Sequence, residues 1–191
     1  MTEKRILRIP EIPRGSRLER YVKVIEEIVK TDPSARAGLN DFFLSVFNEC
    51  SSYVKNCTLE GAVWPLNIVL FRCSTTEKFL EELKSLDNDA IEIESPKYPD
   101  NLLAVCVGNE ILARIFIDCE GLTETLGHNA VTFVYTVVET YFHEILHGIF
   151  QERKSEQEIW DIQFLLIENF LGFTIPQERK RMKAEDYYNT R

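Results

Sequence analysis

The amino-acid sequence predicts an α+β fold, with a small mixed or antiparallel sheet, helices near the N-terminus and two long helices near the C-terminus. Residues 16–30 place apolar side chains at intervals of three and four, which is the spacing of a helix. Two runs rich in β-branched residues flank Gly108-Asn109-Glu110, which indicates a hairpin. Helical spacing returns between residues 130 and 171. Together these features predict the fold class.

Length and composition are those of one globular unit. The chain has 191 residues, of which 45% are hydrophobic and 28% charged, and this fits a single domain with a sizeable core. We divide it into an extended arm (1–14), a helical packing segment (15–60), a sheet with the two long helices (64–175) and a charged tail (176–191).

Charge and hydropathy restrict the partners and the location that we expect. The net charge of -9 argues against binding to nucleic acid or to an anionic membrane, which requires a clustered basic face. The first residues contain an acidic group and no long apolar run, unlike a secretory signal. The longest apolar stretch, residues 130–138, is too short to cross a bilayer. We therefore expect a cytoplasmic protein, and its five cysteines, which lack Cys-x-x-Cys spacing, are expected to be reduced thiols.

The elements of the N-terminal half follow from periodicity and from turn residues. Leu18, Val22 and Ile25 give the first helix its apolar face, and Thr31-Asp32-Pro33 ends it. Further along the chain we predict a helix at 39–53, a buried strand at 66–73, a helix at 74–86 and a short edge strand at 91–93.

The C-terminal half begins with the hairpin, whose strands we place at 102–107 and 111–117. Residues 120–128 resemble a loop, and Asn129 is a candidate N-cap for a helix over residues 130–151. The start of this helix is rich in β-branched residues, which are weaker helix formers. The alternative is a strand at 131–138 followed by a helix that starts near residue 139.

This helix contains the pattern His143-Glu144-x-x-His147. Residues four apart lie one turn apart on the same face, so both imidazoles can bind one metal ion. Histidine binds zinc at about 2.0–2.1 Å, and a catalytic zinc site has three protein ligands and a fourth position for water. Glu144 is placed to accept a proton from that water as a general base. The alternative is a pair of histidines on an ordinary amphipathic helix.

A third ligand is expected on the following helix, residues 155–171, which we predict to run antiparallel to the first. At 1.5 Å per residue its first two turns come level with the histidines, and they contain Glu156, Glu158 and Asp161, whereas Glu168 lies about 10 Å or more beyond. We select Glu158 as the third ligand and Asp161 as the group that orients a histidine N–H. Glu156 and Glu168 remain alternatives, and the acidic cluster is also explained by a solvated helix start.

The hexapeptide His143-Glu144-Ile145-Leu146-His147-Gly148 resembles the signature of the zincin metallopeptidases. This resemblance implies that the histidines bind Zn²⁺, that Glu144 activates the water, and that the substrate is a peptide or protein. Zincins with a downstream glutamate ligand, the gluzincin-like group, carry it on a following helix. Such a helix fits Glu158, whereas the longer connection of thermolysin-like members would favour Glu168.

The resemblance also suggests accessory features. A tyrosine or histidine often supplements oxyanion stabilisation in this family, and His128, Tyr187 and Tyr188 are available. The strand at 111–117 could offer an edge to which an extended peptide adds by main-chain hydrogen bonds. The charged tail could cover the cleft.

Three alternatives compete with this interpretation. Peptide deformylases also carry His-Glu-x-x-His, but with an upstream Glu-Gly-Cys ligand motif, and Cys119-Glu120-Gly121 contains these residue types in another order. A non-catalytic metal-binding or protein-interaction module would keep the site without turnover. A helical adaptor without any metal is the third.

Overall fold

The computed structural model describes residues 11–31, 36–89, 103–127 and 129–181. Within these ranges the protein is a mixed α+β structure dominated by helices, as the sequence predicts. Its elements in chain order are α1 (Arg17–Thr31), α2 (Arg36–Lys55), β1 (Asn67–Cys73), α3 (Thr76–Asp89), β2 (Ala104–Gly108), β3 (Leu112–Asp118), α4 (Cys119–Glu124), α5 (Ala130–Phe150) and α6 (Glu156–Leu171).

The sheet contains both strand directions and has the order β1-β3-β2. β2 and β3 pair antiparallel as the predicted hairpin, with Gly108 opposite Ala113. The turn is closed by Asn109, whose side-chain oxygen accepts hydrogen bonds from the backbone of Ile111 and Leu112. β1 pairs parallel with β3, from Asn67 opposite Leu112 onward. Parallel pairing requires a long crossover, and here α3 lies in that connection.

The predicted position of the free sheet edge at 111–117 was wrong. β3 lies in the middle of the sheet and pairs with β1 on one side and with β2 on the other. Its backbone groups are therefore used within the sheet. Among the described strands, β2 pairs with β3 alone, so the edge beside α5 belongs to β2.

α5 is the central helix and packs against α1, α2, α6 and the sheet. Its β-branched first half is helical, which decides between the two possibilities left open by the sequence. Val134, Val137 and Val138 are fully buried, and burial on all sides outweighs their modest helix propensity. Aromatic side chains fill the interface with α6, where the Phe142 and Phe170 rings meet edge to face at 5.1 Å.

The predicted loop at 120–128 was wrong, because α4 and a 3-10 turn at Thr125–Gly127 occupy most of it. Asp118 caps α4 by accepting a hydrogen bond from the Gly121 backbone at 3.0 Å. Its other carboxylate oxygen accepts from the Thr76 hydroxyl at 2.7 Å, which ties the start of α3 to the end of β3. A helix of six residues is too short to show a periodic pattern in the sequence.

The two long helices start where the sequence predicts. Asn129 caps α5 through a 2.7 Å hydrogen bond from the Thr132 backbone. Ser155 caps α6, and Gly172 ends it in the left-handed conformation at φ 76°. The connection between them turns the chain at Gln151, which has a φ of 52°. α6 then runs back antiparallel along α5.

Several predictions concern other parts of the chain. The edge strand at 91–93 and the residues His128, Tyr187 and Tyr188 lie outside the described residues. Each of the five cysteines is a free thiol. Within the described ranges no helix has the length and apolar character needed to span a membrane.

Candidate metal centre

Three side chains from α5 and α6 converge on one point. The Nε2 atoms of His143 and His147 are 3.1 Å apart. The carboxylate of Glu156 faces both, with Oε1 at 3.1 Å from His143 Nε2 and Oε2 at 3.2 Å from His147 Nε2. Within the part of the chain that the structure describes, these three residues have potential ligand atoms close enough together to hold one metal ion.

The spacing of these atoms fits the coordination shell of zinc. Ligand atoms at about 2.0–2.1 Å from a tetrahedral zinc ion lie about 3.3–3.4 Å from one another. The two Nε2 atoms are 3.1 Å apart, and each lies 3.1 or 3.2 Å from a different oxygen of Glu156, so all of these distances are within about 0.3 Å of that edge length. Two imidazoles and one carboxylate are also the donor set of one common class of catalytic zinc site, which keeps a fourth position open.

Local structure explains how the three groups meet. His143 and His147 lie one turn apart on the same face of α5. Glu156 is the first residue of α6, directly after the capping residue Ser155. The side chains of His143, His147 and Glu156 keep 23%, 32% and 22% of their area exposed, so solvent reaches the centre.

Electrostatics ties the carboxylate to the two rings. Burial raises the pKa of Glu156, but hydrogen bonds and charge from the two histidines outweigh it and hold the pKa well below the ordinary glutamate value. Burial lowers the pKa of His143, but the hydrogen bond to Glu156 and the charges of Glu144 and Glu156 bring it above the ordinary value. Without metal, the centre therefore favours a negative carboxylate beside a protonated ring.

Glu144 lies beside this centre and is almost completely buried, with 6% of its area exposed. Burial raises the pKa of Glu144, although the two histidines and the backbone of Cys106 act in the opposite direction. A carboxylate with a raised pKa is a stronger base, which suits proton transfer near neutral pH. Cys106 belongs to β2, so the Glu144 carboxylate reaches the edge strand and also lies within electrostatic range of the two histidines.

Gln163 contacts the ring of His143 from α6. Its side-chain oxygen lies 2.8 Å from His143 Nδ1, and its amide nitrogen donates to the backbone oxygen of Glu139 at 3.2 Å. Gln163 is 2% exposed. A buried acceptor on the far nitrogen of a histidine is what a metal-binding imidazole requires.

The structure does not bring the selected carboxylate, Glu158, to the histidines. The Glu158 side chain turns back to the start of α6, where it accepts hydrogen bonds from the Ser155 backbone and hydroxyl at 2.9 and 2.8 Å. Helix geometry explains this difference, because positions 156 and 158 differ by about 200° around the helix axis. Glu156, kept as an alternative by the sequence, occupies the third position instead.

The other carboxylates considered for the site also have different partners. Asp161 accepts a hydrogen bond from the Gln157 side chain at 3.0 Å and does not orient a histidine, a role that Gln163 fills. Glu168 accepts from the Ile175 backbone and pairs with Lys180. Cys119, the cysteine of the deformylase alternative, is buried at the start of α4 and is not part of the converging group.

Sequence reasoning did not identify Gln163, although a signal was present. Positions 156 and 163 are seven residues apart and share one face of a helix. A polar amide on a face that otherwise buries apolar residues needs a buried partner. That partner is the ring of His143.

Comparisons of the chain with protein-family models, with curated proteins and with solved structures find no match. Functional assignment therefore depends on the residues of this chain and on their geometry.

Proposed function

We propose that the protein is a zinc-dependent hydrolase of peptide bonds, in which His143, His147 and Glu156 bind Zn²⁺ and Glu144 acts as the general base. The convergence of two imidazole nitrogens and a carboxylate at separations of 3.1 to 3.2 Å supports this proposal. The resemblance of the histidine helix to the zincin signature supports it independently. Glu156 takes the place that the sequence assigned to Glu158.

The residues divide the chemistry among them. A zinc ion held in this centre supplies Lewis acidity and lowers the pKa of a coordinated water towards 7. Glu144 accepts a proton from the water as its oxygen attacks the peptide carbonyl carbon. The same carboxyl group then gives the proton to the nitrogen of the leaving amine as the C–N bond breaks. Burial raises the pKa of Glu144, and this makes the carboxylate a better base for the first proton transfer at neutral pH.

The edge of β2 is the place where a peptide would bind. Cys106 of β2 is close enough to Glu144 for a backbone hydrogen bond to affect the pKa of that carboxyl group. An extended peptide that adds to this edge gains main-chain hydrogen bonds and passes beside Glu144. This replaces the predicted binding edge at 111–117, which lies inside the sheet.

The direct test is a metal and activity assay on the full chain. We expect one zinc per chain, an anomalous peak between Glu156 and the two histidines, and cleavage of members of an unstructured peptide panel. A chelator should abolish cleavage and added zinc should restore it. His147→Gln should lose the zinc, whereas His128→Gln, which changes the one histidine outside the motif, should keep it. Zinc bound at another place, or none bound at all, would refute the proposal.

The burial of Glu144 also favours a second candidate, a metal-binding module that does not catalyse. Glu144 is 6% exposed and its carboxylate accepts a hydrogen bond from the Cys106 backbone, so little of it is open to a water molecule. Such a module would bind one zinc through the same ligands and cleave no peptide at any pH. A pH series of the cleavage assay therefore separates the two candidates.

A further inference from the structure

Gln163 is the buried polar residue that links α6 to the first histidine of the motif. We propose that it is a positioning residue, which fixes the proton of His143 on Nδ1 and so directs the Nε2 lone pair at the metal. This inference rests on the proposed metal site, and it concerns the tautomer of one ring, which can be measured without metal or substrate.

The orientation of the Gln163 amide follows from its second partner. The backbone oxygen of Glu139 can only accept a hydrogen bond, so the atom of Gln163 that faces it at 3.2 Å is the NH₂ group. The other end of the amide is then the carbonyl oxygen, 2.8 Å from His143 Nδ1. A carbonyl oxygen has no proton to donate, and Nδ1 must therefore carry the hydrogen.

Burial keeps the Gln163 amide in this orientation. Gln163 is 2% exposed, so water cannot readily replace it as the partner of the ring. Glu139 lies one turn before His143 on α5, and the amide therefore spans two successive turns of that helix. Rotating the amide would put an oxygen against the Glu139 carbonyl and an NH₂ group against Nδ1–H. Both contacts would then be repulsive.

The choice of an amide has a chemical consequence. A carboxylate in this place would add a negative charge and would draw the Nδ1 proton towards itself. The neutral amide accepts the same hydrogen bond without changing the charge of the centre, and it does not titrate. With two neutral imidazoles and one carboxylate, a zinc centre of this composition keeps a net charge of +1, which favours a Lewis-acidic metal.

The test combines histidine NMR with zinc titration. The tautomer is best read in zinc-free Glu156→Ala, because the Glu156 carboxylate offers a second acceptor 3.1 Å from Nε2. At a pH where the His143 ring is uncharged, long-range ¹H–¹⁵N spectra of this variant should show the Nδ1–H form. Adding Gln163→Met removes the acceptor at Nδ1 and should shift the ring towards the Nε2–H form. Gln163→Met alone should raise the zinc Kd about 10- to 100-fold in a chelator competition. Gln163→Glu keeps an acceptor and should retain Kd within about tenfold of wild type.

The matched control is Asn169→Leu, which removes another amide of α6. Asn169 donates to the Leu165 backbone and is exposed, so neither the tautomer nor the Kd should change. An Nε2–H ring in zinc-free Glu156→Ala would overturn the proposal, as would Gln163→Met with unchanged tautomer and zinc affinity. If the Gln163→Met proteins do not fold, the tautomer in Glu156→Ala still decides. If wild type binds no zinc, the proposed function fails, while the tautomer still tests the role of Gln163.

Discussion

Glu156 Oε1 lies 3.1 Å from His143 Nε2, so the first residue of α6 directly faces the first histidine of the motif. His147 Nε2 lies at 3.2 Å from the second oxygen of the same carboxylate. The three groups come from consecutive helices, and only the short connection that ends at Ser155 separates those helices. A metal bound here would hold the end of α5 against the start of α6. Replacing the carboxylates at the start of α6 one at a time would identify the third ligand.

Glu156→Gln is expected to weaken zinc binding strongly, because it replaces a charged ligand by a neutral one. Glu158→Gln changes a carboxylate two residues away that caps α6, and it should leave zinc affinity unchanged and slightly lower the melting temperature. Competition with a chromogenic chelator measures both affinities. If Glu158→Gln loses zinc and Glu156→Gln keeps it, then the side chains reorganise around the ion and the original choice of Glu158 is restored.

Glu144→Gln is expected to separate metal binding from catalysis. The amide is nearly isosteric with the carboxylate but cannot accept the proton of the attacking water. Zinc stoichiometry should remain one per chain, whereas kcat should fall about 10²- to 10⁴-fold, the usual contribution of a general base. Peptide cleavage and zinc content should be measured on the same sample. A variant that still cleaves at the wild-type rate would exclude Glu144 as the base.

Without zinc, the contribution of Glu156 and His143 to the free energy of unfolding should be largest in a limited pH range. Its folded pKa is lowered for Glu156, so the stabilising effect of this group is present above the unfolded value of about 4.5 and is lost as pH falls through the folded pKa. The folded pKa of His143 is raised, so its effect is present below about 6.5 and is lost as pH rises through the folded pKa. The pair therefore stabilises the fold most between about pH 4.5 and 6.5.

Urea unfolding with a chelator, across a pH series, measures this window. The difference in unfolding free energy between wild type and Glu156→Gln should be largest inside it and should decline above it. Glu158→Gln is the control, because Glu158 also has a lowered pKa but has Ser155 and Lys154 as partners. Its smaller difference should persist above pH 6.5. A pH-independent difference for Glu156→Gln would show that its carboxylate and the histidines are not coupled.

The sequence predicted the elements that depend on local signals. Asn129 and Ser155 were predicted as the start of the two long helices, and both cap them. The hairpin around Asn109 was predicted from turn residues and is present. The parallel pairing of β1 with β3 could not be predicted, because a 45-residue separation in the register leaves no local pattern in the sequence.

The choice between Glu156 and Glu158 shows where the available signal was not used. Ser155 and Glu158 form the pattern Ser-x-x-Glu, which is a capping box. That pattern commits the Glu158 carboxylate to the Ser155 backbone and leaves Glu156 free to turn towards α5. The segment that brings a carboxylate to the two histidines was thus predictable, and so was the carboxylate within it.

Arg179→Met is expected to destabilise the fold, because the start of the tail is part of the packed structure. Arg179 pairs with Glu139 at 3.4 Å, and these side chains are only 13% and 7% exposed. Losing the cation removes a charged partner of the buried Glu139 carboxylate, which also accepts a hydrogen bond from the Tyr135 hydroxyl, and should cost about 2–3 kcal/mol. Lys180→Met is the matched control, since the more exposed Lys180–Glu168 pair contributes about 1 kcal/mol or less.

Urea unfolding of the two variants tests this difference, and it also bears on the idea that the tail covers the cleft. Equal, small losses would show that Arg179 is not anchored in the fold. If Arg179→Met is destabilised as expected, truncation before residue 177 would disturb stability as well as access to the cleft. Activity of a truncated chain must therefore be compared at equal folded fraction.

Gly108→Ala is expected to disrupt the hairpin that carries the β2 edge. A Cβ atom on Gly108 would overlap with the Leu112 backbone oxygen, so the strands must move apart. We expect a loss of about 2–3 kcal/mol in unfolding free energy. Gly148→Ala is the control, because there a Cβ would meet Ala113 and Cys106 at 3.4 Å, an ordinary contact, and stability should change by less than about 1 kcal/mol. Similar stabilities for the two variants would mean that the hairpin turn relaxes freely, and the edge beside Glu144 would then be too mobile to hold an extended peptide in register.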